Sequence, residues 1–279
     1  MTDTSTPAGD AASPAAPAGA LLQQRVGRVL QLLISNPAAR NALAPEMYLI
    51  GRQALQQAAH DDGIGAIVLA GDGATFCAGG NLNRLLGNRA RPPEGQRDSI
   101  DALHAWVRAL RDCPKPVIAA VEGAAAGAGC SLALACDLIV AAEDARFALS
   151  YVKVGLSPDG GGSWSAIRLL PRQLAMQMLI EGDTLPAARL QALGVVNALV
   201  PPGAALKEAT QRAARLADGP VEAIARIKRL ALAAADATLD EQLDRERDAF
   251  VASLHADEAG EGIAAFLGRR AARYRPPAD

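Results

Sequence analysis

Three short runs of this chain are apolar at every position: Ala66-Ile67-Val68-Leu69-Ala70, Val117-Ile118-Ala119-Ala120-Val121 and Leu138-Ile139-Val140-Ala141-Ala142. Each has the length of a strand, and none alternates. A strand without alternation has no water-facing side, so both its faces need cover, as in a sheet sandwiched between helices. The first two runs stop at glycine turns, Gly71-Asp72-Gly73 and Glu122-Gly123. Helical patterns separate the runs, from Pro45 to about His60, from Ser99 to Arg111 and from Gly127 to Ala135. Strand, glycine turn and helix in repeated succession predict an α/β fold of ββα or βα units around a mostly parallel sheet. Val26 to Ile34 reads as further strand, stopped by Asn36-Pro37.

After Trp164 the pattern turns helical. Helices are predicted over Gln173–Glu181, Pro186–Ala192, Ala205–Ala217, Val221–Ala235, Leu239–Leu254 and Glu258–Leu267, with Leu239, Leu243, Phe250 and Leu254 near one face. The expected division is a disordered tail over 1–20, an α/β core over 21–200 and a helical C-terminal region over 201–279. The tail is mostly Ala, Pro, Thr, Ser, Gly and Asp. It has neither the apolar stretch of a signal peptide nor the arginines of a transit peptide. A cytoplasmic location is expected, since no apolar run reaches membrane-spanning length.

Composition narrows the chemistry. The 279 residues carry a net charge of −2 with both signs dispersed, and only 3% are aromatic. A basic stripe with stacking aromatics is missing, so nucleic acid is not an expected partner, nor is a membrane. Cys77, Cys113, Cys130 and Cys136 form no CxxC pair and have no His at ligand spacing. They read as buried, reduced thiols rather than metal ligands or a disulfide framework. Cys77, beside a candidate site, reads as packing because no nucleophile motif accompanies it.

Two glycine-rich turns follow apolar strands: Phe76-Cys77-Ala78-Gly79-Gly80-Asn81-Leu82, and Gly123 through Gly127-Ala128-Gly129 to Cys130-Ser131-Leu132. Glycine lets backbone N–H groups face outward without side-chain obstruction. Where a helix begins at such a turn, its first N–H groups are unpaired and its dipole favours negative charge. Two converging donors would make an oxyanion hole for an enolate or a tetrahedral intermediate. Tight packing is the plainer use of such turns. Neither turn is a phosphate loop, because no Gly-Lys-Ser/Thr follows. A third segment, Gly155-Leu156-Ser157-Pro158-Asp159-Gly160-Gly161-Gly162-Ser163-Trp164, supplies one carboxylate, Asp159.

In combination, the Phe76–Leu82 turn, Lys115–Gly123, the Gly127-Ala128-Gly129 turn, Cys136-Asp137-Leu138, Asn36-Pro37 to Leu43 and Phe266-Leu267-Gly268-Arg269-Arg270 resemble the crotonase, or enoyl-CoA hydratase/isomerase, superfamily over about residues 22 to 275. The resemblance implies a ββα superhelix with a helical C-terminal trimerisation region, an acyl-CoA thioester substrate, and homotrimers often paired into hexamers. No cofactor beyond the coenzyme A moiety of the substrate and no metal is implied. It assigns the oxyanion donors to the backbone N–H groups of Ala78 and Ala128. Ala39, Arg40, Gly79, Gly80, Asn81 and Leu82 match the coenzyme A site, and Pro158 lies beside the catalytic position. Phe266 and Arg269 match positions that reach the nucleotide of a neighbouring subunit, where a guanidinium suits phosphate.

The departures from the family pattern carry the functional argument. Hydratases of this family use two glutamates, and those positions hold Ser131 and Tyr151 here; both are expected to line the pocket. Asn81 stands for a usual aspartate and Glu122 for a common asparagine. The Asp159 segment is similar to the epoxyphenylacetyl-CoA isomerase branch of phenylacetate catabolism, as is the Leu239–Asp248 helix, and the matching aspartate there is the acid/base. One carboxylate can take a proton from one carbon and return it to another. Burial beside Val152, Val154 and Leu156 is expected to tune it. A turn aspartate capping the helix after Gly162 is the alternative role. The expected function is an acyl-CoA isomerase working through a stabilised enolate. A rival reading is a hydrolytic aryl-CoA dehalogenase, with Asp159 as nucleophile, His104 activating water, and Tyr151 with Trp106 or Trp164 cradling the ring. A member of the fold that binds acyl-CoA without turnover is the third.

Overall fold

A computed structural model describes residues 19–275. The expected tail therefore lies outside the described residues up to residue 18, while Ala20 already belongs to the first strand. The strands are β1 (Ala20–Val26), β2 (Val29–Ser35), β3 (Ala66–Gly71), β4 (Val117–Val121), β5 (Ala124–Ala126), β6 (Leu138–Ala142), β7 (Arg146–Ala148), β8 (Thr184–Pro186) and β9 (Ala198–Val200). The helices are α1 (Pro45–His60), α2 (Leu82–Asn88), α3 (Pro93–Asp112), α4 (Ala128–Ala135), α5 (Gly162–Leu169), α6 (Arg172–Ile180), α7 (Ala187–Ala192), α8 (Ala205–Ala217), α9 (Val221–Ala234), α10 (Leu239–Leu254) and α11 (Asp257–Leu267).

The three apolar runs are β3, β4 and β6, neighbours in a six-stranded sheet of order β1-β2-β3-β4-β6-β9. All pairs in it are parallel except the hairpin β1–β2, in which Val26 pairs with Val29 across Gly27-Arg28. Gly27 takes φ +58, a conformation that a β-carbon disfavours. The sequence pattern placed strand only from Val26, because most β1 side chains are exposed and carry little apolar signal. A second sheet, order β5-β7-β8, stands beside the first.

Both faces of the main sheet are covered, as unalternating strands require. Ile67, Leu69, Val117, Ala119 and Val121 point into a core shared with α1, α3 and α4. Val68, Ala70, Ile118, Ala120 and Val140 point the other way, onto Ala205, Ala209, Ala213 and Ala217 of α8. An alanine at every fourth residue gives α8 a smooth stripe that lies close to the strands. So α8 belongs to the sheet it covers, and a core ending at residue 200 omits it. The Glu122 carboxylate fixes the start of α8, accepting the Gly203 N–H at 3.0 Å and the Ala205 N–H at 2.7 Å.

The helices α9, α10 and α11 follow as a separate cluster. Glu258 of α11 accepts the N–H groups of Glu222 and Ala223 at the start of α9. Lys228 of α9 ties the cluster to the core through Asp137 Oδ2 at 2.6 Å and the Leu110 and Lys115 carbonyls at 3.3 Å each. Among the described residues, no helix is long and apolar enough to cross a membrane.

Candidate active site

The site forms where the segment after β3 runs beside β5. Phe76 and Cys77 donate to the carbonyls of Glu122 and Ala124, and Ala126 donates back to Cys77, all within 2.9 Å. This pins the first glycine turn against the second. A β-carbon on Gly79 would lie 2.7 Å from the Ala126 oxygen and 3.5 Å from the Ala128 nitrogen. One on Gly129 would lie 2.6 Å from the Cys77 oxygen. Backbones this close admit only glycine, so the two turns touch. Cys77 is wholly buried here and its Sγ accepts the Gly79 N–H at 3.3 Å. Burial pushes its thiol up to about 12, so packing is its role.

The donor assignment needs one correction. The Ala78 N–H is spent, donating to the Arg40 carbonyl at 3.0 Å. In the same turn the Gly79 N–H goes to Cys77. Among the described residues, the N–H of Gly80 donates to no backbone carbonyl, and neither does that of Ala128, first in α4. The free amide of the first turn is thus two residues further on, a matter of chain direction that a motif cannot show.

Asp159 is half-buried on the loop into α5. The Tyr151 hydroxyl donates to its Oδ1 at 2.6 Å, and the Ser131 hydroxyl donates to its carbonyl at 3.0 Å. The capping alternative fails, because Gly161 (φ +79) is the cap residue before α5, no side chain caps the helix, and only the Asp159 carbonyl meets the Gly162 N–H. The expected apolar surround is also absent: Val152, Val154 and Leu156 are exposed. The Asp159 carboxylate meets the Tyr151 hydroxyl instead, and the buried Tyr48 of α1, a residue the sequence did not mark, lies within range of its charge. Burial pushes the Tyr48 phenol up to about 12, Arg84 opposing and the Asp159 charge adding to the rise. Burial, then the Asp159 charge, push Tyr151 up as well.

Ser131 is buried as a strut rather than a pocket surface. A β-carbon on Gly160 would come within 3.0 Å of its Cβ, and one on Gly162 within 2.7 Å of its Oγ. The glycine run therefore fills the room a longer side chain at 131 would need. Tyr151 reaches the other turn too, its Oη 3.8 Å from the β-carbon position of Gly127.

The remaining expected site residues divide. Ala39, Arg40, Gly79, Gly80 and Pro158 lie on the loops that meet at the turns, although the Arg40 side chain is exposed. Asn81 caps α2, its Oδ1 accepting the Arg84 N–H at 3.1 Å, and Leu82 beside it is exposed. Phe266 and Arg269 are exposed at the end of α11, Phe266 by 85%. The aromatic cradle of the rival reading is not assembled. Trp106 is fully buried against Tyr48, and Trp164 lies between the guanidinium groups of Arg111 and Arg168 at 4.2 and 4.0 Å. His104 is half-buried on α3 and, among the described residues, makes no hydrogen bond to Asp159.

Two contacting amide turns thus lie beside one carboxylate held by the Tyr151 hydroxyl. The enoyl-CoA hydratase/isomerase family model matches residues 24–276. The chain belongs to the enoyl-CoA hydratase/isomerase family. It is 35% identical to the 1,2-epoxyphenylacetyl-CoA isomerase of Escherichia coli over 88% of this chain and 94% of that protein. It is 34% identical to the 2,3-dehydroadipyl-CoA hydratase of the same organism, over 91% and 98%. A crystal structure of an enoyl-CoA hydratase from Polaromonas sp. JS666 superposes at a TM-score of 0.90 with 53% identity, over 91% of this chain and 99% of that one. The fold is therefore the crotonase α/β fold with a helical C-terminal region, and the family makes the protein an acyl-CoA enzyme. Names among the relatives include both hydratase and isomerase.

Proposed function

We propose that this enzyme is an acyl-CoA isomerase that shifts a double bond, or rearranges a ring, through an enolate held at its thioester oxygen. The observation that carries the reading is Asp159 beside the two contacting turns, its carboxylate held by Tyr151 and its carbonyl by Ser131, the residues that the family resemblance matches to the two glutamates of hydratases. Water addition asks for one group to activate water and another to protonate carbon. One carboxylate suffices to move a proton along the acyl chain.

In this reading the thioester oxygen sits between the N–H groups of Gly80 and Ala128. Asp159 takes a proton from one carbon as the electrons move onto that oxygen. The enolate then collapses and takes the proton back at another carbon, which leaves Asp159 ionised again. The coenzyme A moiety of the substrate is the only cofactor-like group required. Exposed Leu239, Leu243, Phe250, Leu254 and Phe266 on α10 and α11 support assembly into a homotrimer or a hexamer.

The test uses a 3-enoyl-CoA ester, with deuterium exchange at the α-carbon as a second readout. Asp159→Asn is expected to lower turnover by about 10³-fold while the ester's dissociation constant stays within about threefold. Full activity in that variant sinks the proposal. Rapid hydration of a trans-2-enoyl ester by the unmodified enzyme would also sink it, and halide release from a haloaryl-CoA would install the dehalogenase reading.

A further inference from the structure

The tyrosine at the second glutamate position is aimed at the carboxylate rather than at open space. Its hydroxyl hydrogen goes to Asp159 Oδ1 at 2.6 Å, the short distance of a charge-assisted bond. Among the described residues, Asp159 Oδ2 accepts no hydrogen bond. The ring is half-buried, on the 3₁₀ turn Ser150–Val154, and its hydroxyl end rests near Gly127, the residue just before the Ala128 amide. One side chain thus spans from an oxyanion turn to the proton-transfer group.

We propose that Tyr151 is a positioning residue: its hydroxyl ties down one oxygen of Asp159 and leaves the other to take and return the proton. This rests on the reading of Asp159 as the acid/base and goes beyond it, since it says which oxygen reacts and what keeps it ready. In this reading Tyr151 is not itself the proton donor to carbon, because its hydroxyl hydrogen is engaged by Asp159 Oδ1.

The other groups around Asp159 do not supply this hold. From α4, Ser131 donates to the backbone carbonyl and not to the carboxylate. From α1, Tyr48 is near enough to feel the Asp159 charge, with Glu46 and the α2 residue Arg84 acting on Tyr48 in turn. From α3, Leu103 lies against the Gly160 position, and the adjacent His104 makes no hydrogen bond to Asp159 among the described residues. A donor to a carboxylate favours its charged form, so removing the donor makes ionisation harder.

The experiment compares pH–rate profiles for 3-enoyl-CoA turnover by the wild type, Tyr151→Phe, and enzyme carrying 3-fluorotyrosine at position 151. Tyr151→Phe is expected to lower kcat about tenfold, leave KM within about twofold, and move the acid limb to higher pH by roughly one unit. Fluorotyrosine keeps the shape and is the more acidic phenol, hence the stronger donor, so its acid limb moves to lower pH. An acid limb that stays at the wild-type position in both proteins overturns the proposal, as does a loss of activity confined to KM. If Tyr151→Phe does not fold, the fluorotyrosine profile decides alone, an unmoved limb being the overturning result. Full activity in Asp159→Asn would instead remove the acid/base reading beneath it, so the two failures are told apart.

Discussion

The region around the two glycine turns and the C-terminal helices achieve order by opposite means. Every residue of α4 is buried, as are nearly all of β3, β4 and β6. Among the described residues of α9, α10 and α11, only Lys228 and Ala265 are buried. Those helices hold together by polar clasps: the Thr238–Glu241 capping box, the Glu258 carboxylate on α9, and the Glu261–Arg270 pair with both bonds at 2.7 Å. Meanwhile Phe250, Ile263, Phe266 and Leu267 are left in water. The first region closes on itself, because catalytic geometry tolerates little movement. The second has polar stiffness and spare apolar surface, the combination suited to meeting another surface.

The contrast can be broken most severely at the turns. Gly129→Val would push a β-carbon into the Cys77 backbone, which cannot yield as a flexible side chain could. We expect a loss of more than about 4 kcal/mol in urea unfolding, with turnover abolished. A variant of near-native stability would show that the two backbones are not in contact.

The junction between the regions comes next. Lys228→Met keeps the stem but strips Asp137 of its ion-pair partner and two carbonyls of a donor. Burial already pushes the Asp137 carboxyl up, with Lys228 opposing. The Asp137 side chain keeps 26% exposure, so the expected cost is about 2–3 kcal/mol, below that of a fully buried pair. Chemical denaturation measures it, and a change under about 0.5 kcal/mol would mean that the tie carries no stability.

A surface substitution sharpens the comparison from the other side. Phe266→Ser should change unfolding stability by less than about 0.5 kcal/mol at concentrations where the chain is monomeric. Its effect should appear in association, as a lower mass in sedimentation velocity. A large loss in the monomer would show that α11 has an internal partner for this ring.

The smallest effect is local and depends on pH. Glu261 is held down to about 2 by its bonds to Arg270 and to the Arg273 N–H. A depressed carboxyl stabilises the clasp fully above its ordinary range and loses that contribution as pH falls toward the lowered value. The protection factors of amides at the end of α11, taken against the intrinsic exchange rate at each pH, should therefore be high at neutral pH and fall between roughly pH 4 and pH 2. Protection factors that do not change over that window would remove the clasp as the source of order there.

Much of this could be read in the residues themselves. Unalternating runs gave β3, β4 and β6 and required two covered faces. The helical patterns for α1, α8, α9, α10 and α11 stand close to where the periodicity put them. What failed was weakly patterned: β1 exposes most of its side chains, α2 is short, and β5, β7 and β8 are three-residue strands whose partners lie far along the chain. Asp159 stood out as the lone carboxylate of its segment. Its surroundings did not: Val152 and Val154 share a 3₁₀ turn with Tyr151, yet they face outward while Tyr151 turns its hydroxyl to Asp159, and Ser131 arrives from α4.

Local rules set what each stretch could become: where glycine must stand and which strands need two covers. Only the folded chain decided which amide of the first turn stays free, since the Arg40 carbonyl that takes the Ala78 N–H arrives from a separate loop. It likewise decided that the Tyr151 hydroxyl meets Asp159 and that Asn81 and Glu122 serve as helix caps. A hydrogen bond depends on distance and direction in space, and residue order along the chain specifies neither until the layers have packed.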